Sequence, residues 1–93
     1  MDPRQVRSPR NKWTLIEVLV DNGGDDDSLV VGEWEGARVL AARWNGEGKK
    51  IGNPQSRGLP TWFILPHRYY VGILATLPQK KRALANTLLK RDK

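Results

Sequence analysis

The chain has no cysteine among its 93 residues. That excludes a disulfide scaffold and a thiolate metal site, and it suits a reducing cytoplasm. It has a single histidine, His67, placed just after Pro66. A lone histidine in the first turn of a helix reads as a surface residue rather than a general base. No apolar run approaches the roughly 20 residues that span a bilayer. The N-terminal stretch MDPRQVRSPRNK is basic, but no apolar segment of signal-peptide type follows it. No serine or threonine lies in a nucleophile-elbow context, and no cofactor fingerprint is present. The run Asp25-Asp26-Asp27 lacks the spacing and central glycine of a calcium loop. Glu33 and Glu35 lie close together, but Glu33 is better explained by a partner across a hairpin than by a nuclease centre. These absences leave no enzyme, metal, cofactor or small-molecule substrate to expect.

Acidic residues are the most unevenly missing of all. None occurs between Gly48 and Arg91. The formal net charge is +6, but the stretch 13–47 holds eight acids against Arg38 and Arg43. The stretches on either side are basic, with four bases and one acid in residues 1–12. A basic half of this kind points to a polyanionic partner, most often nucleic acid. The competing reading is a solvated basic surface.

At this length the chain is one domain with a modest core. Residues 1–12 show no apolar periodicity and contain two prolines, so they read as a flexible basic arm. Trp13 to Val20 reads as a strand, with Thr14, Ile16, Val18 and Val20 on one face and Trp13, Leu15, Glu17 and Leu19 on the other. Residues 21–28 read as a solvated loop. Leu29 to Asn45 reads as a β-hairpin turning at Glu35-Gly36. That register sets Trp34 opposite Ala37, Gly32 opposite Val39, Val30 opposite Ala41, Glu33 opposite Arg38 and Val31 opposite Leu40. A loop from Gly52 to Pro60 precedes a short strand, Thr61 to Leu65. Pro66 then starts a helix whose stripe is Tyr70, Ile73, Leu74 and Leu77. Pro78 ends or restarts it, and residues 79–93 form a basic helical tail. The expected fold is α+β: a four-stranded antiparallel sheet followed by a C-terminal helix, with the domain spanning residues 13–78.

Four tryptophans in a chain of this size are many. In the hairpin register Trp34 and Trp44 fall on opposite faces, so a simple one-sided sheet cannot bury both. Aromatics interleaved with Arg43, Arg57, Lys49 and Lys50 suit the stacking of unpaired bases above a phosphate groove. The structural alternatives are a small core reinforced by indoles, or a dimer interface.

The segment from Leu29 onward resembles the single-stranded-DNA-binding transcriptional coactivator family. The likeness rests on Gly36-Ala-Arg-Val-Leu-Ala-Ala-Arg43-Trp44 as a hairpin arm and on Ser56-Arg57-Gly58 as a basic-glycine loop. Trp62-Phe-Ile-Leu-Pro66 is similar to the family's strand and corner, and Tyr70 to Leu77 to its dimer helix. The strand Trp13–Val20 has no clear counterpart there. The resemblance implies nucleic-acid contacts at Arg43 and Arg57, loop contacts at Lys49 and Lys50, and a homodimer. The chain also looks like small proteins carried on bacterial plasmids and gene cassettes, which implies no activity.

Together these readings set an expectation of a small nucleic-acid-binding protein with little sequence readout. Arg43, Lys49, Lys50 and Arg57 would hold phosphates, Trp44 or Trp62 would stack, and Lys80, Lys81, Arg82 and the N-terminal arm would add non-specific attraction. The alternative is a protein-interaction module whose acidic half and tryptophans meet a protein partner.

Overall fold

In the computed structural model, which describes residues 1–90, the hairpin is the centre of the fold. Strand β2 (Asp27–Trp34) and strand β3 (Ala37–Trp44) pair antiparallel in the predicted register, from Trp34 opposite Ala37 to Val30 opposite Ala41. The turn Glu35-Gly36 has φ of 51° and 86°, the doubly left-handed backbone of a type I′ turn. Glu33 accepts a 2.9 Å hydrogen bond from Arg38 Nε, as the cross-strand pairing predicts. Strand β1 (Trp13–Asp21) lies on the far side of β2, and the two-residue β6 (Phe63–Ile64) lies beside β3. The sheet order is β1-β2-β3-β6, all antiparallel. The fold is α+β.

Both faces of this sheet are covered. On one, α1 (Tyr70–Leu74) and α2 (Gln79–Leu88) bring Tyr70, Leu74, Leu77 and Ala85 down on Leu19, Leu29, Val31 and Leu40. On the other, Val6 and Trp62 close over Trp13, Val30, Val39 and Ala41. Each fully buried aliphatic side chain contributes about 1.5–3 kcal/mol. The second layer therefore matters as much as the helical one in a chain this short.

Strand β1 departs from strict alternation. Its register against β2 shifts twice, between Leu15 and Glu17 and between Val18 and Val20. The two bulges carry Val18 to the face of Trp13 and Leu15, and Leu19 to the helical face with Ile16 and Val20. A bulge adds one residue to one strand and so exchanges the faces of the residues beyond it.

Three expectations need adjusting. The predicted strand Thr61–Leu65 is reduced to Phe63–Ile64. Its first residues are drawn away, because the Thr61 carbonyl accepts from Arg43 and the Thr61 N–H donates to Pro54. The loop Gly52–Pro60 contains a small hairpin of its own, β4 (Gln55–Ser56) with β5 (Leu59–Pro60), turning at Arg57-Gly58. The helix after Pro66 is a 3-10 turn, His67–Tyr69, running into the short α1. Pro78 then caps a separate α2, whose Ala85 and Leu89 belong to the core and whose last turn is held by Arg38 donating to the Leu88 carbonyl. Of the predicted basic tail, residues 91–93 lie outside the described residues. Tyr70, Leu74 and Leu77, the stripe that the family resemblance assigns to a dimer, are buried within this one chain.

Leu40 shows how the thin edge at β6 is completed. Its carbonyl accepts from the Leu65 N–H at 2.9 Å, and its N–H donates to the Tyr70 hydroxyl at 3.0 Å. A side chain from α1 thus stands in for the missing length of the fourth strand, and no polar backbone group is left bare at that buried position.

Gly32 sits directly beneath the Trp13 ring. A methyl group there would overlap the six-membered ring, so only glycine lets the indole lie flat on β2. Gly32→Ala should therefore cost about 1–3 kcal/mol. Urea denaturation with near-ultraviolet circular dichroism reads both stability and Trp13 packing. An unchanged midpoint and spectrum would show that Trp13 is not held this way.

Candidate nucleic-acid interface

The residues expected to bind phosphate separate into three groups. Arg43 is the first. It falls on the face of β3 that carries Val39 and Ala41, and only 3% of its surface is exposed. Its guanidinium donates to the carbonyls of Thr61, at 2.6 Å, of Pro54 and of Ile51. Burial lowers its pKa from the ordinary arginine value, which lies so far above neutrality that the group keeps its charge. Arg43 gathers the chain between Ile51 and Thr61 around one cation and is no phosphate ligand in this arrangement. Trp62 is likewise inside. Its ring stacks on Trp13 with centroids 5.6 Å apart, and its indole N–H donates to the Val6 carbonyl at 3.0 Å.

The second group lies at the end of the sheet where β3 meets the loop 45–53. Trp44 is 59% exposed and Phe63 is 56% exposed. With Ala42, Pro54, Asn53 and Asp27 they line a cleft of about 420 Å³. Across Trp44 lies a second concavity, lined by Lys50 but also by Asp25 and Glu47. Lys49 and Lys50 are exposed on the same loop. Trp44 and Lys50 are thus brought together, as the sequence suggests, but among carboxylates. The loop is built by backbone approach: Gly46 and Gly52 both have positive φ, and a side chain on either would strike the other's backbone. Asn45 ties it to the acidic loop, with its amide oxygen accepting from Ser28 Oγ at 2.7 Å and its amide nitrogen donating to Gly23.

Arg57 belongs to a third group, on the opposite layer. It is exposed at the tip of the β4–β5 hairpin with φ of 52° and lines a concavity of about 330 Å³ together with Arg10, Ser8 and Ser56. Arg10 also lines the adjoining concavity of about 250 Å³, shared with Arg4, Arg7 and Thr14. Among the described residues no carboxylate lines either hollow. The nearest ion pair is the exposed contact of Arg4 with Asp2, of the kind worth about 0–1 kcal/mol. Lys80, Lys81 and Arg82 lie on α2, in the layer across the sheet.

The N-terminal arginines are absent from the predicted phosphate contacts, and the signal for them is a period of three. Residues 3–11 read Pro-Arg-Gln, Val-Arg-Ser, Pro-Arg-Asn. The first member of each triplet turns inward: Pro3 and Val6 are buried and Pro9 is half-buried. The second is an exposed arginine each time. Neither a helix nor a strand has this period, but 3-10 and extended left-handed backbone both do. The stretch read as a free arm is in this structure a packed strip that lays Arg4, Arg7 and Arg10 along one side.

No family model, curated protein or solved structure matches the chain. Among the described residues no helix is long and apolar enough to cross a membrane.

Arg43→Met roughly keeps the volume of the side chain but leaves the half-buried carbonyls of Ile51 and Thr61 without their guanidinium donor, while the Pro54 carbonyl keeps its bond from the Thr61 N–H. Each orphaned group costs about 1–3 kcal/mol, so a loss of at least about 2 kcal/mol is expected in urea unfolding. Hydrogen exchange should accelerate at the Trp44 and Asn53 amides, which bond each other's carbonyls. If stability and exchange are both unaltered, the guanidinium does not organise the loop.

Proposed function

We propose that the protein binds nucleic acid through its phosphate backbone, on the face formed by Arg4, Arg7, Arg10 and Arg57. The observation that carries this reading is the pair of adjoining hollows joined by Arg10, with four arginines and no carboxylate among the described residues that line them. Guanidinium groups offer planar, bidentate donors to phosphate oxygens. Ser8, Ser56 and Thr14 supply hydroxyls of the kind that complete backbone contacts. Binding is non-enzymatic and has little sequence readout, because contacts to phosphate carry no base information, and Trp13 and Trp62 are both buried away from stacking. Affinity therefore comes mainly from counterion release and falls steeply with salt. The basic residues of α2 and of the loop 45–53 add long-range attraction without direct contact.

Fluorescence anisotropy with single-stranded and duplex oligonucleotides tests this reading. Binding is expected at low salt. The triple variant Arg7→Ala, Arg10→Ala, Arg57→Ala should lose at least about tenfold in affinity and flatten the salt slope by about one for each lost phosphate contact. Alanine at Lys80, Lys81 and Arg82 should have a smaller effect. Absence of binding at low salt, or a triple variant that binds like the parent, sinks the proposal.

A further inference from the structure

The aromatic cleft at the other end of the sheet has the opposite charge character. It is lined chiefly by apolar surface from Trp44, Phe63, Ala42 and Pro54, and its volume of about 420 Å³ falls within the roughly 300–1,000 Å³ range of ligand pockets. Its two aromatic side chains are more than half exposed, although the rest of the hairpin's apolar surface is well covered. Exposed indole and phenyl groups converging on one hollow mark a contact surface. The charges at its rim are acidic. Asp27 lines the cleft itself, and Asp25 and Glu47 stand across Trp44. None of these three carboxylates forms an ion pair among the described residues, where the only pairs are Arg4 with Asp2 and Arg38 with Glu33. Among the described residues the one cation lining the cleft, Arg43, is sunk into the carbonyls of the 51–61 segment. Lys50 lines the neighbouring hollow instead.

We infer that this cleft receives an arginine side chain from a basic, apolar peptide segment of a protein partner. The guanidinium plane would lie against Trp44 and Phe63, where stacking and cation–π attraction favour arginine over other cations. Its charged end would meet Asp27, whose Oδ1 already accepts one hydrogen bond from Asn22 and whose other oxygen is available. An apolar neighbour on the peptide would cover Ala42 and Pro54. Nucleic acid is a poor occupant here, because three unpaired carboxylates repel phosphate. The end of α2 is not placed to fill the cleft from within, since its Leu88 is held by Arg38 near the start of β3, while Trp44 closes the other end of that strand.

Trp44 makes the test direct. It is the one exposed tryptophan, Trp34 being half-buried and the other two buried, so iodide quenching of emission reports mainly on its indole. The probe is the peptide acetyl-Gly-Leu-Arg-Leu-Gly-amide, with controls bearing citrulline or glutamate in place of arginine. The arginine peptide is expected to shift Trp44 emission and protect it from iodide, and the citrulline peptide to bind at least fivefold more weakly. Asp27→Asn, which keeps the acceptor for Asn22, should erase that preference. Phe63→Ala should weaken both peptides without altering the thermal midpoint, because the phenyl group is exposed. The inference is overturned if the arginine peptide leaves Trp44 unprotected at millimolar concentration, or if the citrulline peptide binds equally well. It is overturned too if protection comes from an oligonucleotide, or from raising the protein's own concentration without peptide. The arginine face can fail its oligonucleotide test while this cleft passes, and the reverse, so the two readings stand apart.

Discussion

The hydrogen bond from the Trp62 indole to the Val6 carbonyl is the contact on which the second layer of the molecule depends. Burying an indole N–H without a partner is costly, and for Trp62 the backbone of an otherwise irregular segment provides one, whereas the buried N–H of Trp13 has no partner among the described residues. With Trp62 stacked on Trp13, and Trp13 lying flat on Gly32, the chain from Pro3 to Pro9 has a surface on which Val6 can be buried. The position of Arg4, Arg7 and Arg10 results from that burial, because the triplet period turns them outward whenever Pro3, Val6 and Pro9 turn inward. Packing and charge presentation are two sides of the same short segment.

Arg43 has a comparable role on the other strand. Without a buried cation, the carbonyls of Ile51 and Thr61 would have to find water or regular pairing partners, and that of Pro54 would keep only its bond from the Thr61 N–H. Collected around the guanidinium, they let the chain leave β3 at Trp44, form the β4–β5 hairpin and return as β6 at Phe63. Arg57 is carried at the tip of that excursion, beside Arg10. One arginine is used to fold the segment and another is presented by it.

The difference between those two arginines shows where the sequence is legible. The hairpin's register is readable, because a two-residue turn with glycine, a charge pair and three apolar pairs all agree on it, although Asp27 and Ser28, read as loop, open β2 and Asn45 lies beyond β3. The same register correctly separates Trp34 from Trp44 and so foretells an exposed indole. It also places Arg43 on the face of Val39 and Ala41, but that face becomes interior only through Trp62 and the N-terminal segment, whose contacts are far away in sequence. Charge alone then suggests a surface role for a residue that packing has enclosed. The bulges in β1 are invisible for a related reason: nothing in WTLIEVLVD distinguishes strict alternation from a strand that twice changes face. The N-terminal triplets are legible only to a search for period three, which neither helix nor strand patterning includes.

The two proposed binding surfaces are kept apart by the same distribution of charge that the sequence displays along its length. The acids of residues 21–27 and Glu47 cluster around the exposed end of the hairpin, while the arginines of the first ten residues meet Arg57 on the second layer. On the proposed reading a phosphate chain would be drawn to one region and repelled from the other, and a basic peptide would experience the reverse. Salt would weaken attraction at the arginine face strongly, because that binding rests on exposed charge. At the cleft it would act less, because apolar contact with Trp44 and Phe63 does not depend on ionic strength. The unequal responses to one variable arise from where the sheet places its exposed aromatic and its charged side chains.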